Sequence, residues 1–245
     1  MQVPNDTESK PDVAVIIPHY NDALRLELCL NALMRNDLGA AEILVVDNSS
    51  PNPPTHLHAQ FPKVRFLTEI ERGAGPTRNR GVIESSAPLL VFLDSDCVPA
   101  PNWLATVRAV GAKADLIGGR VDLFDETPPP RSGAEAFETV FAFDCKTYIE
   151  KLGFSVTANL VTSRDIYMDI GPFRSTVAED NDWCYRATAK GYHLIYEDSM
   201  RVSHPTRSTW RELRRKLYRH AKEGYALIQS THPGLSGRVR WTVKA

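Results

Sequence analysis

Three short, wholly apolar runs constrain the fold of this chain more than any other feature of its sequence. They are VAVII at residues 13–17, ILVV at residues 43–46 and LLVFL at residues 89–93. A strand with one solvated face alternates apolar and polar residues, whereas a strand buried on both faces is apolar throughout. Helical patterns lie between the runs. The sequence therefore predicts an α/β fold in which helices cover both faces of a mainly parallel sheet.

Polar side chains follow each of these runs. The segments are HYN at residues 19–21, DNS at residues 47–49 and DSD at residues 94–96. Because the carboxyl ends of parallel strands meet at one edge of a sheet, we expect a ligand site there. Asp94 and Asp96 supply the oxygen ligands that Mg²⁺ or Mn²⁺ prefers when it bridges a protein to substrate phosphates. A solvated turn is the alternative explanation of an Asp-x-Asp taken alone.

The first hundred residues contain the elements of such a sheet in alternating order. Pro18 is expected to end the first strand, and Asn21 or Asp22 is expected to cap the helix that follows. A shorter strand at residues 64–67 and a helix at residues 77–85 precede the last apolar run. This order is typical of a parallel sheet with helical crossovers.

The second half of the sequence is less regular. Gly118 and Gly119 interrupt a strand, which indicates either a close approach of a ligand or another backbone, or a β-bulge. Residues 122–133, which include three consecutive prolines, are predicted to form a mobile loop. Further strands are predicted at residues 116–121, 155–162, 193–196 and 201–203, and further helices at residues 134–150, 165–170, 179–190 and 208–229.

Composition and charge exclude several classes of protein. The 245 residues fit one large domain or two abutting ones, and their formal net charge of -1 provides no overall field for nucleic acid. The first twenty residues contain no signal-peptide core, and no run approaches the roughly 20 apolar residues that span a bilayer. The four cysteines are too far apart in sequence for a metal knuckle or a redox pair. We therefore expect a cytoplasmic protein with reduced, buried thiols.

Eight segments occur in a fixed order along the chain: IIPHYND, VVDNSS, RGAGPTRNRG, FLDSDCVP, TANLVTSR, GPF, AEDNDWCYR and VSHP. Together they resemble the family 2 glycosyltransferases over nearly the whole chain. The resemblance implies the GT-A fold, with a Rossmann-like sheet and an abutting acceptor-side subdomain. It also implies inverting, metal-dependent transfer of a sugar from a nucleotide sugar, with UDP as the expected nucleotide. Two positions depart from the family pattern, since Arg72 replaces the usual asparagine and Thr77 the usual alanine.

The resemblance implies a role for each residue at a matching position. Asp180 is expected to be the general base that takes a proton from the acceptor hydroxyl, with Glu179 beside it in the same motif. Asp96 and Asp94 are expected to hold a divalent metal, Mn²⁺ or Mg²⁺, with His204 as a further ligand. The residues expected to bind the nucleotide and the donor sugar are Pro18, Tyr20, Asp47, Arg72, Arg78, Asn79, Asp94, Gly119 and Asn159.

Several of these residues also have a simpler structural interpretation. Asp47 fits a turn cap, and Arg78 fits a solvated helix face. The acids at residues 179–182 suit the positive end of a helix dipole, and His204 fits a satisfied surface histidine. Trp183 is either a platform for a sugar or a core residue.

The resemblance and the composition divide the chain into four parts. They are a polar leader (1–12), a nucleotide-sugar-binding half (13–98), a donor-sugar and acceptor half with the catalytic acids (99–207), and a basic amphipathic helix with a tail (208–245). The expected partners are a nucleotide-sugar donor and an acceptor that is a saccharide, a lipid-linked molecule or a small molecule, with no nucleic acid. The last helix is expected to dock on the domain with a solvated basic face. The alternative is peripheral contact with the inner face of the membrane.

Other functions fit parts of the pattern. A sugar-phosphate nucleotidyltransferase shares the architecture, but it carries a Gly-rich basic loop after its first strand, where this chain has IIPHYND. A phosphohydrolase is disfavoured because the Asp-x-Asp comes too late in the chain. A dinucleotide oxidoreductase is disfavoured because no G-x-G-x-x-G follows the first strand. A catalytically silent module that binds nucleotide sugars stays open, since it would retain the same acids.

Overall fold

A computed structural model describes residues 10–231 of the protein. In this range eight strands form one sheet in the order β3-β2-β1-β4-β7-β6-β8-β5, with helices packed on both faces. The strands are β1 (Val13–His19), β2 (Glu42–Asp47), β3 (Val64–Thr68), β4 (Leu89–Leu93), β5 (Val98–Pro99), β6 (Leu116–Phe124), β7 (Asn159–Ser163) and β8 (Leu194–Pro205). The helices are α1 (Ala23–Leu33), α2 (His56–Gln60), α3 (Ala74–Glu84), α4 (Trp103–Val110), α5 (Gly133–Phe141), α6 (Cys145–Glu150), α7 (Arg164–Ile170), α8 (Glu179–Ala189) and α9 (Trp210–Thr231).

The apolar strand β1 is buried on both faces, as its sequence predicts. Val13, Val15 and Ile17 belong to a hydrophobic cluster that includes residues of α1 and α4. Ala14 and Ile16 belong to a second cluster, which includes residues of α3 and α8. None of the five side chains is exposed to solvent. Successive side chains of β1 point to opposite faces of the sheet, so the strand packs against both helical layers. Burial of each valine or isoleucine contributes about 1.5–3 kcal/mol to that packing.

Most of the sheet is parallel, which confirms the predicted fold class. β1 pairs in parallel with β2 and β4, and β2 pairs in parallel with β3. β7 runs antiparallel between β4 and β6, and β6 pairs in parallel with β8. The carboxyl ends of β1, β2 and β4 therefore lie at one edge of the sheet, where the predicted site residues follow them.

The first strand and its helix differ slightly from expectation. Pro18 does not end β1, because His19 still pairs with Asp47 of β2. β1 lies between β2 and β4, but its pairing with β4 stops at Ile16, so among the described residues its last positions have no strand partner on that side. Such positions tolerate proline, as an edge strand does. Asp22 caps α1, as predicted, through its carboxylate and the third backbone N–H that follows.

The segment predicted as a mobile loop and one long helix is divided differently in the structure. β6 extends to Phe124, so residues 122–124 belong to a strand. The helix predicted at residues 134–150 is two helices, α5 and α6. Phe143, between them, adopts a φ of 57°, which a right-handed helix cannot contain.

The remaining differences concern pairing and short elements. The two strands predicted near residues 193–196 and 201–203 are one strand, β8, whose register against β6 shifts between Gly119 and Arg120. Helices α2 and α4 and strand β5 were not predicted. All four cysteines are buried and free, as expected. No helix within residues 10–231 is both long and apolar enough to cross a membrane.

Gly118 and Gly119 allow other parts of the protein to approach the sheet closely. A Cβ atom at Gly119 would lie 2.2 Å from the side-chain nitrogen of Asn159 and 2.4 Å from the carbonyl oxygen of Met200. Asn159 is fully buried, and its nitrogen donates to that carbonyl at 2.8 Å. Its oxygen accepts the indole N–H of Trp103 at 2.9 Å. These bonds link α4, β7 and β8 behind the site.

We expect the Gly119→Ala substitution to destabilise the fold by about 1–3 kcal/mol, because its methyl group meets a backbone carbonyl that has no room to move. Urea unfolding of the purified protein measures this. In the Gly133→Ala control the new methyl group faces the indole of Trp210, which is 61% exposed and can turn away. A normal unfolding midpoint for Gly119→Ala with lost nucleotide binding would instead favour the predicted donor contact at Gly119.

Candidate functional site

An open cleft of about 1020 Å³ lies at the carboxyl edge of the parallel strands. Residues from the ends of β1 and β4, from the starts of α3 and α8, and from α5 and α9 line it. Segments that are far apart in sequence therefore meet in one concave site, as is typical of ligand sites in α/β folds. The predicted site residues that line the cleft are Pro18, Tyr20, Arg78, Asp94, Asp96, Glu179, Asp180 and His204.

Asp96, just after β4, pairs with two cationic or protonatable side chains. His204, at the end of β8, places its Nε2 3.2 Å from the Asp96 carboxylate, and a guanidinium nitrogen of Arg207 lies 3.5 Å from it. Burial opposes ionisation of Asp96, but His204 and then Arg207 outweigh it and hold the pKa of this carboxyl well below its usual range. Asp96 is therefore a carboxylate at neutral pH.

Arg78 links the two acidic segments of the cleft. This residue of α3 is 3% exposed, so the solvated helix face considered from the sequence is wrong. One terminal nitrogen donates to Asp94 at 2.6 Å and the other donates to Glu179 at 3.0 Å. Its Nε is buried and has no hydrogen-bond partner among the described residues. Arg78 is thus an internal counter-ion to two carboxylates, and its Nε–H is left for a further hydrogen bond.

Glu179 and Asp180 begin α8, with Asp180 beside the cleft. Burial, and then the neighbouring Glu179 carboxylate, raise the pKa of Asp180 to about 7. The backbone N–H of Asn181 and the charge of Arg78 act in the opposite direction. A carboxyl group that titrates near neutral pH is suited to accept a proton in a reaction.

Asp182 and Trp183 of α8 are structural. Asp182 is buried, and its carboxylate accepts hydrogen bonds from Arg186 at 2.9 Å and from Arg174 at 3.3 Å. Trp183 is fully buried, and its indole N–H donates to the carbonyl of Gly171 at 2.9 Å. Of the two interpretations of Trp183, the core residue is therefore right and the sugar platform is wrong.

Asp47 lies beside the cleft, where its carboxylate holds a turn. It accepts a hydrogen bond from the Ser50 backbone N–H at 2.9 Å and one from the Ser50 hydroxyl at 2.6 Å, as a turn cap does. It also lies 2.7 Å from Nδ1 of His19, whose Nε2 accepts the backbone N–H of Asp22 at 3.1 Å. Tyr20 lines the cleft nearby with 60% of its surface exposed. Asp47 thus orders the end of the cleft formed by β1 and β2.

Besides Asp47, four predicted donor-binding residues do not line the cleft. Asn79 of α3 holds the chain after α7, because its amide donates to the carbonyl of Phe173 and accepts the Phe173 backbone N–H, both at 2.9 Å. Arg72 is exposed in the loop before α3. Gly119 and Asn159 are buried in the bonded layer described above.

The structure also places residues in the cleft that the sequence alone did not single out. They are Arg174, Arg207, Lys216 and the aromatic residues Phe137, Phe141, Phe143, Tyr148 and Phe154. His19, which the sequence placed at the carboxyl end of the first strand, also lines the cleft. The aromatic residues come from α5, α6 and the segments beside them, and their sequence offers no such signal.

The metal site predicted from Asp94, Asp96 and His204 is not formed by these residues alone. Within the described chain, no group of three histidine, cysteine or carboxylate side chains is placed to hold a metal ion. His204 bonds to Asp96, and its Nδ1 is buried without a hydrogen-bond partner among the described residues. The two carboxylates nevertheless provide hard oxygen ligands of the kind that Mg²⁺ or Mn²⁺ shares with substrate phosphates.

We expect Arg78→Gln to lower the free energy of unfolding by about 1–3 kcal/mol. Removal of one partner from a fully buried ion pair costs about 3–5 kcal/mol, and here the two carboxylates are 32% and 22% exposed. The control is Arg80→Gln on the same helix, whose partly exposed pair with Glu84 is worth less than about 1 kcal/mol. Equal losses in the two variants, measured by urea unfolding, would contradict the internal role of Arg78.

Comparison with known sequences identifies the family. Residues 14–176 match the family described as glycosyl transferase family 2. The chain is similar to Glycosyltransferase AglE of Haloferax volcanii, with 34% identity over 229 residues, which are 88% of this chain and 74% of AglE. It is also similar to the pre-mycofactocin glycosyltransferase of Mycobacterium tuberculosis, with 26% identity over 224 residues. This match covers 85% of the chain but only 46% of that protein.

Solved structures agree on the fold. The mannosyltransferase PcManGT from Pyrobaculum calidifontis, in complex with GDP-Man and Mn²⁺, has a TM-score of 0.67 and 18% identity over 90% of this chain and 63% of its own. TarS from S. aureus, in complex with UDP-GlcNAc, has a TM-score of 0.63 and 16% identity over 94% of this chain and 78% of its own. The architecture is the GT-A fold, and the chain belongs to glycosyl transferase family 2.

Proposed function

We propose that the protein is an inverting, metal-assisted glycosyltransferase that moves a sugar from a nucleotide donor, UDP-linked by expectation, to an acceptor hydroxyl. One observation carries this proposal. Two pairs of acids from distant segments, Asp94 with Asp96 and Glu179 with Asp180, line one cleft, and Arg78 bonds to a member of each pair. Metal binding and proton transfer are the two tasks that such a reaction gives to carboxylates.

The donor is proposed to lie along the carboxyl ends of β1 and β4. Pro18 and Tyr20 would contact the base, and the ordered Asp47 would stand behind it. The relatives support a nucleotide-sugar donor, since PcManGT was solved with GDP-Man and TarS with UDP-GlcNAc. The Nε–H of Arg78, which has no hydrogen-bond partner within residues 10–231, and the guanidinium of Arg207, which lines the cleft, provide positive charge for a diphosphate.

A divalent cation fits this cleft together with the donor. Asp94 and Asp96 would hold it, and the donor diphosphate would complete its coordination. When bound, the cation supplies positive charge that stabilises the departing nucleoside diphosphate. His204 is proposed to orient Asp96 through the bond between them, rather than to coordinate the cation directly.

Asp180 is proposed to be the general base. It takes the proton of the acceptor hydroxyl while the acceptor oxygen bonds to the anomeric carbon from the side opposite the diphosphate. The bond from the anomeric carbon to the phosphate oxygen breaks at the same time, and its electron pair leaves with the nucleoside diphosphate. A single displacement of this kind inverts the anomeric configuration.

The acceptor is proposed to occupy the side of the cleft formed by α5, α6 and α9. Phe141, Phe143 and Tyr148 line this side, and aromatic faces bind the apolar surface of a sugar ring. A saccharide, a lipid-linked molecule and a small molecule with a hydroxyl are all compatible with it. The division into a donor half at residues 13–98 and an acceptor half at residues 99–207 is proposed on the same grounds.

We expect UDP to bind more tightly with Mn²⁺ than without it, and we expect Asp96→Asn to remove that difference by loss of a metal ligand. Calorimetric titration of UDP, GDP and dTDP on both proteins measures this and identifies the nucleotide. The control is Asp165→Asn, which changes an exposed acid in the first turn of α7. Nucleotide binding of equal affinity with and without Mn²⁺ would contradict the proposed cation. The absence of binding of any of the three nucleotides would contradict the proposed donor site.

We expect Asp180→Asn to lower kcat by about 10²–10⁴-fold, the usual contribution of a general base, with little change in donor affinity. The rate of nucleoside diphosphate release, with an acceptor that the wild type uses, measures kcat. The control is Asp182→Asn on the same helix, which should lower stability because it breaks the bonds to Arg174 and Arg186. An unchanged kcat in Asp180→Asn would remove Asp180 from the reaction.

The same variant has a pH signature. In the free protein the pKa of Asp180 is raised from 3.8 to about 7, so the folded state keeps a proton that the unfolded chain releases. The free energy of unfolding therefore contains a contribution that falls as the pH rises from about 4 to about 7. Asp180→Asn should lack this contribution, and kcat/KM of the wild type should rise with pH through about 7. Identical pH profiles of stability in both proteins would contradict the raised pKa.

A further inference from the structure

Helices α5 and α9 share a surface of exposed aromatic and aliphatic side chains, which we call the α5–α9 face. The exposed fractions are 61% for Trp210, 72% for Tyr218, 47% for Leu217, 66% for Phe141 and 71% for Val140. Single exposed apolar residues are common on soluble proteins, but a contiguous group marks an interaction surface.

Aromatic rings of the two helices lie close together within this face. The ring centroid of Phe137 lies 4.7 Å from that of Phe141 on the same helix and 6.3 Å from that of Trp210 on α9. An open depression of about 540 Å³ lies between the helices, and Leu213 and Leu217 line it together with Phe137 and Trp210. The depression and the cleft share Phe137, Leu213 and Leu217 as lining residues, so the apolar surface continues to the cleft.

Positive charge surrounds this apolar surface. α9 contains six lysine or arginine residues and two glutamates. Arg211, Arg214 and Arg215 are exposed, and Arg211 and Arg214 line the depression itself. Glu212, the nearest acid on the helix, accepts a hydrogen bond from the hydroxyl of Thr209 at 3.0 Å at the start of α9. The three arginines have no described ion pair that would neutralise them.

We propose that the α5–α9 face docks on an anionic lipid bilayer. An interfacial helix of this kind inserts aromatic and aliphatic side chains at the headgroup level, while arginines extend their apolar stems and keep their charge in water. Each arginine near an anionic surface adds about 1 kcal/mol of attraction. Tryptophan and tyrosine suit this boundary because each has an apolar ring and a polar atom.

Charge argues against a second copy of the chain as the occupant. In a symmetric dimer the same surface contacts itself, so the arginines of one copy would face those of the other. The docking of this face does not depend on the transfer reaction. Its test needs neither donor nor acceptor, and its failure would leave the proposed function untouched.

The test is sedimentation of the full chain with vesicles of phosphatidylcholine alone and of equal parts phosphatidylcholine and phosphatidylglycerol. One variant combines Trp210→Ala with Tyr218→Ala, and another changes Arg211, Arg214 and Arg215 to Gln. None of these residues lines the cleft. Matched controls change Ile83 and Met168, exposed at 75% and 66%, to Ala, and the exposed Arg35, Lys63 and Lys151 to Gln.

We expect the wild type and both controls to bind the anionic vesicles and to leave neutral vesicles largely unbound. Each arginine removed from the face should weaken partition about fivefold, and the Trp210 and Tyr218 variant should also bind more weakly. Equal binding to both kinds of vesicle, or none to either, would overturn the proposal. So would loss of binding in the arginine variant alone, which would indicate adsorption without insertion. Self-association of the wild type that both face variants abolish would assign the face to a protein contact instead.

Discussion

The site depends on one buried guanidinium. Arg78 is almost fully buried. Its two terminal nitrogens donate hydrogen bonds to Asp94 and Glu179, which lie 85 residues apart in the chain. The carboxyl groups of Asp94, Asp96, Glu179 and Asp180 lie in one cleft and repel one another unless positive charge balances them. The guanidinium groups of Arg78, on α3, and Arg207, after β8, supply that balance, and His204 contacts Asp96. The cleft can therefore stay acidic enough for a cation and still fold.

The balance is uneven, and the unevenness matches the two roles proposed for the acids. Asp96 lies beside His204 and Arg207 and has a depressed pKa, so it is a carboxylate at neutral pH. Burial and the neighbouring Glu179 carboxylate both disfavour the charged form of Asp180, so its pKa is raised to about 7. A ligand for a cation needs the first property and a base needs the second. The same cleft supplies both because the two carboxyls belong to different elements.

Several polar residues of the family motifs serve the scaffold that holds these acids. Asn79 bonds to the chain after α7, Asn159 bonds to α4 and β8, and Asp47 bonds to His19 and a turn. Catalytic groups must be held within a fraction of an ångström of a productive geometry, and buried hydrogen bonds provide that precision. The apolar α5–α9 face has the opposite character, since its side chains are exposed and continue to the side of the cleft where we propose that the acceptor binds.

The sequence by itself determined the fold class, the positions of β2, β3 and β4 within a residue or so, and the cap at Asp22. These features depend on local periodicity and on contacts between near neighbours, which the order of residues records directly. The motifs also identified Asp94, Asp96 and Asp180 as residues of one site. The tertiary structure alone decided which polar residues of those motifs face the cleft. It buried Asn159 and Gly119, ran β1 through Pro18, and joined two predicted strands into β8. The reason is that strand pairing and side-chain burial depend on partners distant in sequence, whereas a motif specifies only residue types and their spacing.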